Sequence, residues 1–597
     1  MCHFGGVFMG RKEKTVAFWL ALLLAVLCLL SACGKVEVEK SEPVSETVSE
    51  GPDSDRPLPQ MAKKFVTDSP AEGDLLLVQN GVAAAKIVIP KEATDKEVAA
   101  AYDLQNYVNR MTNVLLEIIT DDADLSEGNF ILIGATKQTL SLGEGNYPAY
   151  PEGEGFALRR EGNYLILCGN DTGSFRGTFN AVTRFLEEAG CGWFTNDPLW
   201  QVVPTLSSLA VGQVDMDQSP RFESRSMSGI SYNLELRWYL GGQQNTIGHG
   251  MSWLVGSGYY DKHPEWYALV GDSRDPGRFE YWQFCYTDPD LAAFVAQKVM
   301  NNFDGNPNLT SYTVAANDGW DEGWCECERC RAAGNQTDQL LVLANNVAAI
   351  TSLKYPDRTI SILAYHSTFL PPLKTKAHKN TEVMFCLETS PMADLAKGEL
   401  IHEGIHGLTK NVYTQSWKDS VQQYMDDTGL QTRSIWGWYC IATGRGEWGR
   451  VPFVQGNVIT RNLDLFEEMG IKTVFYDCNG ELADLRWPLF YALGVGMWDD
   501  SRDGETLLYD ACQKLYGAAA EEMFLYYRHL ADAAEYGEQF YGMTWVPPYV
   551  LDIYSVNEQE IDEAILAAKD KLDLLTEEER QRVETQLKYW LYAKVNL

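Results

Sequence analysis

The chemistry available to this chain is concentrated where short apolar, strand-like runs end in polar and aromatic residues. After the run Thr310–Ala315 come Asn317, Asp318 and Glu322. Tyr365 and His366 follow Ile362–Ala364, and Glu388 follows Phe385–Leu387. Trp436, Trp438 and Tyr439 lie on the next run, and the last one ends in Asp477, Asn479 and Glu481. Carboxylates and aromatic rings converging on one face suit glycoside chemistry. One carboxylic acid protonates the leaving oxygen while a second group steadies or attacks the developing oxocarbenium centre. His249, flanked by Gly248 and Gly250 and close to Trp253, suits a loop that a ligand approaches closely. Each residue also has a plainer reading. Asp318 before Gly319 fits a turn, Asp477 and Glu481 fit caps of a helix starting near Leu485, and Trp436 with Trp438 fits a core stripe.

A second constellation is Cys325-x-Cys327-x-x-Cys330, whose spacing can wrap a tetrahedral metal, with Cys285 as a fourth ligand. The competing reading is a disulfide with a free thiol, which an oxidising compartment favours. A structural zinc here would pin the neighbouring Asn317–Asp318 loop, and no cofactor is expected for catalysis. The other cysteines, such as Cys168, Cys386 and Cys440, sit singly in apolar runs and read as buried thiols.

The elements that must position these groups form an α/β pattern. From 220 to 498, strand-like runs alternate with helical periodicity: Phe222–Ile230, Thr310–Ala315, Thr359–Tyr365, Glu382–Leu387, Ser434–Tyr439 and Lys472–Tyr476. That alternation predicts a parallel sheet covered by helices, of (β/α)8-barrel type, with chemistry at the C-terminal strand ends. An open doubly wound sheet is the other architecture, but no glycine-rich phosphate loop accompanies it. Residues 75–210 read as a small α/β domain, with a helix opened by Thr94 and Glu97. Residues 499–597 read as helical.

The start of the chain reads as a targeting segment. Arg11, Lys12 and Lys14 precede the apolar run Val16–Leu30, which ends in Leu30-Ser31-Ala32-Cys33-Gly34. That ending resembles a bacterial lipobox, which implies lipidation at Cys33 and exposure outside the cytoplasm at the cell surface. Residues 34–74 are polar and read as a flexible tether. The membrane is then touched only through the lipid. A net charge of −34 argues against nucleic acid, because phosphate contacts need clustered Lys and Arg. With 17 Trp and 30 Tyr, a neutral glycan or glycoprotein is the simpler partner.

Two resemblances sharpen this. Ala101-Tyr-Asp-Leu-Gln-Asn-Tyr-Val, Ile131-Leu-Ile-Gly134, Gly177-Thr-Phe-Asn-Ala-Val-Thr-Arg-Phe-Leu-Glu and Gly190-Cys-Gly-Trp-Phe resemble the non-catalytic domain preceding the barrel in β-hexosaminidases and α-glucuronidases. From Phe222 to Tyr516, an ordered series resembles the domain of unknown function 4838, which defines glycoside hydrolase family 163. The series runs His249-Gly-Met-Ser-Trp, His263-Pro-Glu-Trp-Tyr-Ala-Leu, Gln283-Phe-Cys-Tyr-Thr-Asp-Pro, Asn317-Asp-Gly, the cysteine cluster, and Tyr355-Pro-Asp-Arg. The resemblance implies a barrel enzyme of endo-β-N-acetylglucosaminidase type. Hexosaminidases of related architecture use the substrate's acetamido oxygen as nucleophile. Such a scheme gives Asp318, with Asn317 beside it, the role of orienting the acetamide. Glu322 or Glu481 is then the acid, and Tyr365 or Tyr439 a hydrogen-bonding partner. His249, Trp253, His366, Trp436 and Asp477 are the remaining substrate-binding candidates. Two segments depart from the family pattern: Trp320-Asp-Glu-Gly-Trp before the cysteines, and Tyr476-Asp-Cys-Asn-Gly-Glu481 at the last strand. An α-glucuronidase-like exo-activity and a non-catalytic glycan-binding lipoprotein are the alternatives.

Overall fold

The computed structural model describes residues 56–142, 153–278, 282–319, 322–387, 394–395, 417–438, 456–478, 483–499, 501–536, 554–555 and 557–596. The signal segment, Cys33, most of the expected tether, Glu388, Tyr439 and Glu481 lie outside them. No described helix is long and apolar enough to cross a membrane.

The expected tether ends well before Asp74. Arg56 Nη2 stands 2.5 Å from Glu505 and 2.7 Å from Asp532. Val66–Thr67 is a short strand running antiparallel to Leu209–Val211. A polar stretch with little apolar surface of its own is still ordered when ion-pair partners and an open sheet edge receive it.

Two sheets follow. One is four-stranded, in the order Val66–Thr67, Leu209–Val211, Leu75–Gln79, Val82–Ala83. The other is six-stranded, in the order Asp215–Gln218, Phe156–Glu161, Tyr164–Gly169, Asn129–Ile133, Ala85–Ile89, Ile118–Thr120. The apolar runs read from the sequence supply its parallel part. The two antiparallel strands are not legible there, because Arg159, Arg160, Glu161, Asp215 and Asp217 break the apolar pattern. Helix Asp95–Thr112 starts at a full capping box between Thr94 and Glu97, and buries Ala101, Leu104, Val108 and Met111.

The larger sheet is eight-stranded and barrel-like, in the order Gly241–Gly242, Ser224–Met227, Thr473–Asp477, Gln431–Trp438, Thr381–Cys386, Thr359–Ala364, Leu309–Thr313, Gln244–Asn245. All pairings are parallel except that of Ser224–Met227 with Gly241–Gly242. Its two end strands are separated in the chain only by Gln243, so one segment closes the ring. Asn245 Nδ2 donates to Thr473 Oγ1 at 2.9 Å across that closure.

The expected (β/α)8 regularity is therefore only partly met among the described residues. Two of the eight strands are two-residue pieces of one segment. Only a three-residue 3-10 turn, His366–Thr368, lies between Thr359–Ala364 and Thr381–Cys386. Gly241-Gly-Gln-Gln-Asn245 carries no apolar alternation, which is why the sequence does not announce it as a strand.

Four helices make up most of the C-terminal part: Gly504–Leu515, Ala520–Tyr536, Glu558–Asp570 and Glu577–Asn596. The last is a strap. Arg582 donates to Leu199 O at 2.6 Å and to Leu515 O at 2.7 Å, and Tyr589 OH donates to Asp484 at 2.7 Å. One continuous apolar core runs through all three of these sheets and these helices.

Candidate active site

At the C-terminal ends of the barrel strands lies an open cleft of about 520 Å³. Trp253, Trp282, Trp436 and Phe475 line it, together with His249 and Asp318. Trp436 is nearly buried and meets Phe475 edge-on, with ring centroids 5.2 Å apart. Trp253 is 60% exposed, so much of it is open to solvent at the cleft. An apolar concavity with a few polar groups at its rim is the usual form of a small-ligand site. A smaller pocket opens beside it, lined by His249, Asn317, Trp324, Tyr365 and His366.

His249 joins the two. Its Nδ1 lies 2.7 Å from Ala316 O, and since a carbonyl only accepts, the ring proton sits on Nδ1. Nε2 then faces Asp318 Oδ1 at 3.7 Å. Tyr365 and Trp436 flank the imidazole at centroid distances of 5.9 Å and 6.2 Å. The glycines around His249 are also demanded by packing. A Cβ on Gly250 would stand 1.7 Å from Thr313 O, and one on Gly248 would stand 2.4 Å from the Trp253 ring.

Asp318 is 67% exposed at its side chain and, among the described residues, accepts a hydrogen bond from Gly319 N at 3.0 Å. Asn317 is occupied in holding the loop. Gln283 clasps its backbone, accepting from Asn317 N at 3.0 Å and donating to Asn317 O at 2.9 Å. Asn317 Nδ2 donates to Trp282 O at 2.8 Å. Gln283 is itself fixed by Tyr286 OH, 2.6 Å away.

The remaining expected site residues divide. His249, Trp253, Trp436, Asn317 and Asp318 gather at the cleft, and Tyr365 and His366 at the side pocket. His366 adopts a left-handed backbone at φ +48°, an uncommon state for a residue with a side chain. Glu322 is exposed and lines neither cavity, because the chain turns at Gly323 toward the buried cysteines. Asp477 also lines neither: it accepts a short hydrogen bond from Ser228 Oγ, which in turn accepts from Cys478 N at 2.8 Å. That contact ties the end of Thr473–Asp477 to the residue that follows Ser224–Met227. Trp282, Gln283 and Phe475 are the residues that sequence reasoning misses. The only available signal for the first two was the Gln283-containing motif.

The four cysteines Cys285, Cys325, Cys327 and Cys330 come together, all four as free thiols. The disulfide alternative is not what the structure holds. Hydrogen bonds from the Cys325 and Cys330 thiols push Cys285 far below the usual thiol range, against its burial.

Residues 195–528, more than half of the chain, match the profile of the family described as "Domain of unknown function (DUF4838)". No curated protein sequence matches the chain. Among solved structures, one similar chain is a family GH115 4-O-methyl-α-glucuronidase, BtGH115A, with specificity for decorated arabinogalactans. The TM-score is 0.53 at 12% identity, covering 87% of this chain and 72% of that one. A family 89 glycoside hydrolase from Clostridium perfringens in complex with PUGNAc gives 0.49 at 9% identity, covering 83% and 61%. At such identities the first likeness speaks for a shared fold.

Proposed function

We propose that this chain, which belongs to the DUF4838 family, is a glycoside hydrolase that cleaves N-acetylglucosamine-containing glycans, with endo-β-N-acetylglucosaminidase-like action. The observation that carries this reading is the cleft itself: four aromatic rings with an exposed carboxylate and an imidazole at the rim. Flat rings stack on the apolar faces of sugars, and burying such a face contributes roughly 25 cal/mol per Å². The fold likeness to a 4-O-methyl-α-glucuronidase supports a glycosidase at the coarse level.

The mechanism follows from the groups present. Asp318 accepts the N–H of the substrate's acetamide and aims the acetamido oxygen at the anomeric carbon. His249, its Nδ1 proton fixed by Ala316 O, places its ring beside the same carboxylate at the rim of the cleft. The acid is Glu481, four residues beyond Asp477 in the sequence, or Glu322, four beyond Asp318. It protonates the leaving oxygen and then takes a proton from the attacking water. Tyr365 or Tyr439 hydrogen-bonds the acetamide. The acetamido oxygen bonds to the anomeric carbon as the protonated leaving oxygen departs, and water then displaces the acetamido oxygen, so two inversions leave the configuration at that carbon retained.

The basic start, the apolar run Val16–Leu30 and the lipobox-like ending support export and lipidation at Cys33. Cys33→Ala protein would then appear in the soluble rather than the membrane fraction.

The discriminating experiment is incubation with a complex N-glycoprotein, followed by mass analysis of the products. Release of a glycan with N-acetylglucosamine at its reducing end supports the reading. Release of a terminal uronic acid would support the α-glucuronidase-like alternative, and binding without any product would support a glycan-binding protein.

A further inference from the structure

The four cysteine sulfurs form a cage whose shape depends on all four at once. They lie within 4.8 Å of one another. Cys285 Sγ stands 3.7 Å from Cys327 Sγ and 3.8 Å from Cys330 Sγ. Four thiolates bonded to a tetrahedral zinc at about 2.3 Å would have edges of about 3.8 Å, which the two separations from Cys285 match. A disulfide would instead draw two of them together to about 2.05 Å and break this symmetry. Cys285, Cys325 and Cys330 are buried, with Cys327 at the rim, and Ala268, Leu269 and Val270 close the cage on its apolar side.

The surroundings are those that thiolates need. Leu269 N–H donates to Cys325 Sγ at 3.3 Å, the Thr287 hydroxyl lies 3.1 Å from Cys330 Sγ, and Arg329 Nη2 stands 3.9 Å from Cys285 Sγ. Donors aimed at sulfur fix the ligands and offset their negative charge. Arg329 is itself held by Asp288 at 2.6 Å. Four sulfurs, three donors and an apolar lid make a built site, which sets it apart from a chance meeting of thiols.

The cage joins two segments of the cleft wall to a third segment behind them. Cys285 follows Trp282 and Gln283, the residues that line the cleft and clasp Asn317. Cys325, Cys327 and Cys330 end the loop that carries Asp318. Glu326 N donates to Leu269 O at 2.7 Å, and Cys285 N donates to Trp266 O at 2.8 Å, bringing in the third segment. We propose that Cys285, Cys325, Cys327 and Cys330 bind one structural zinc ion, which clamps the Trp282–Gln283 segment to the Asn317–Asp318 loop and so sets the shape of the cleft. All four ligands are protein sulfurs, so the site is closed: no coordination position is left for water or substrate. Binding replaces four thiol protons by the metal. The inference concerns the scaffold and stands whether or not the cleft hydrolyses glycans.

The test is metal analysis of the purified full chain after reduction and addition of one equivalent of zinc. About one zinc per chain is expected, and cobalt in its place should give the intense visible absorption of tetrahedral thiolate coordination. Cys327→Ser, at the exposed rim, should lower bound metal at least tenfold while the far-ultraviolet circular dichroism is kept. Should that variant not fold, the stoichiometry and cobalt spectrum of the unaltered chain decide the matter alone. The proposal is overturned if the reduced chain takes up neither zinc nor cobalt. It is equally overturned if Cys327→Ser binds metal as the parent does, or if thiol counting of the freshly isolated chain finds these cysteines paired as disulfides.

Discussion

The seam between the small α/β part and the barrel, and the barrel's mouth, handle polar side chains in opposite ways. At the seam, buried charges are tied to one another. Arg225 is fully buried and pairs with Glu154, which also accepts from Arg176 N at 2.7 Å. Arg237 reaches Asp103 at 2.6 Å, Tyr239 OH donates to Glu187 at 2.9 Å, and Trp238 Nε1 donates to Trp193 O at 2.7 Å. At the mouth, Asp318 is two-thirds exposed and Trp253 is exposed on one face, while each lines a concavity. Groups tied to one another hold a fold together. Carboxylates and rings held in place yet left open to solvent are available to a ligand.

That contrast predicts a separation of effects. Asp318→Asn should lower turnover by about 10²–10⁴-fold, the usual range for a residue acting on proton position. Its thermal stability should stay within about 0.5 kcal/mol of the parent, as for other exposed substitutions. Glu154→Ala should do the reverse. It leaves the Arg225 guanidinium buried and unpaired, which costs about 3–5 kcal/mol in denaturant titrations. Wherever the variant remains folded, glycan binding should be unchanged. A stability loss for Asp318→Asn as large as that for Glu154→Ala would erase the distinction.

A third effect belongs to the small domain. Burial raises the Asp171 carboxyl to about 6, against the hydrogen bonds it receives from Thr178 and the charge of Lys96. The folded state thus holds this proton more tightly than the unfolded chain does. Its contribution is full below the unfolded value of 3.8 and is lost as pH rises through about 6. Asp171→Asn should flatten the fall in stability between those pH values, by at most about 3 kcal/mol, with no change in cleft binding. Equilibrium unfolding across that range measures it, and a parallel pH dependence in parent and variant would contradict it. The smallest effect is at the mouth: Trp253→Ala should weaken glycan binding by about 1 kcal/mol, roughly fivefold, through lost apolar contact. Titration calorimetry would read it.

Much of the barrel was legible because fully buried parallel strands are continuous apolar runs, as in Ile360–Ala364 and Val383–Cys386. The Gly241–Asn245 closure was not, since it is held by backbone pairing and by Asn245 with no apolar pattern. The cleft was legible where motif and strand end coincide, at His249, Asn317, Asp318 and Trp436. Phe475 was missed because it alternates with buried neighbours on its strand and looks like core. The contact of Asp477 with Ser228, just beyond the adjacent strand, is one that the sequence cannot reveal. Cys285 was placed with the other cysteines only as a fourth ligand to a metal, and the fold brings it there across more than forty residues.

The measurement that bears most directly on the central claim is proton NMR of the reaction as it proceeds, on a β-linked N-acetylglucosamine glycan. The anomeric signal of the first-formed product is read before mutarotation. Hydrolysis assisted by the acetamide at Asp318 predicts that the β-anomer appears first. First appearance of the α-anomer, or no product from a folded chain that binds the glycan, would contradict it.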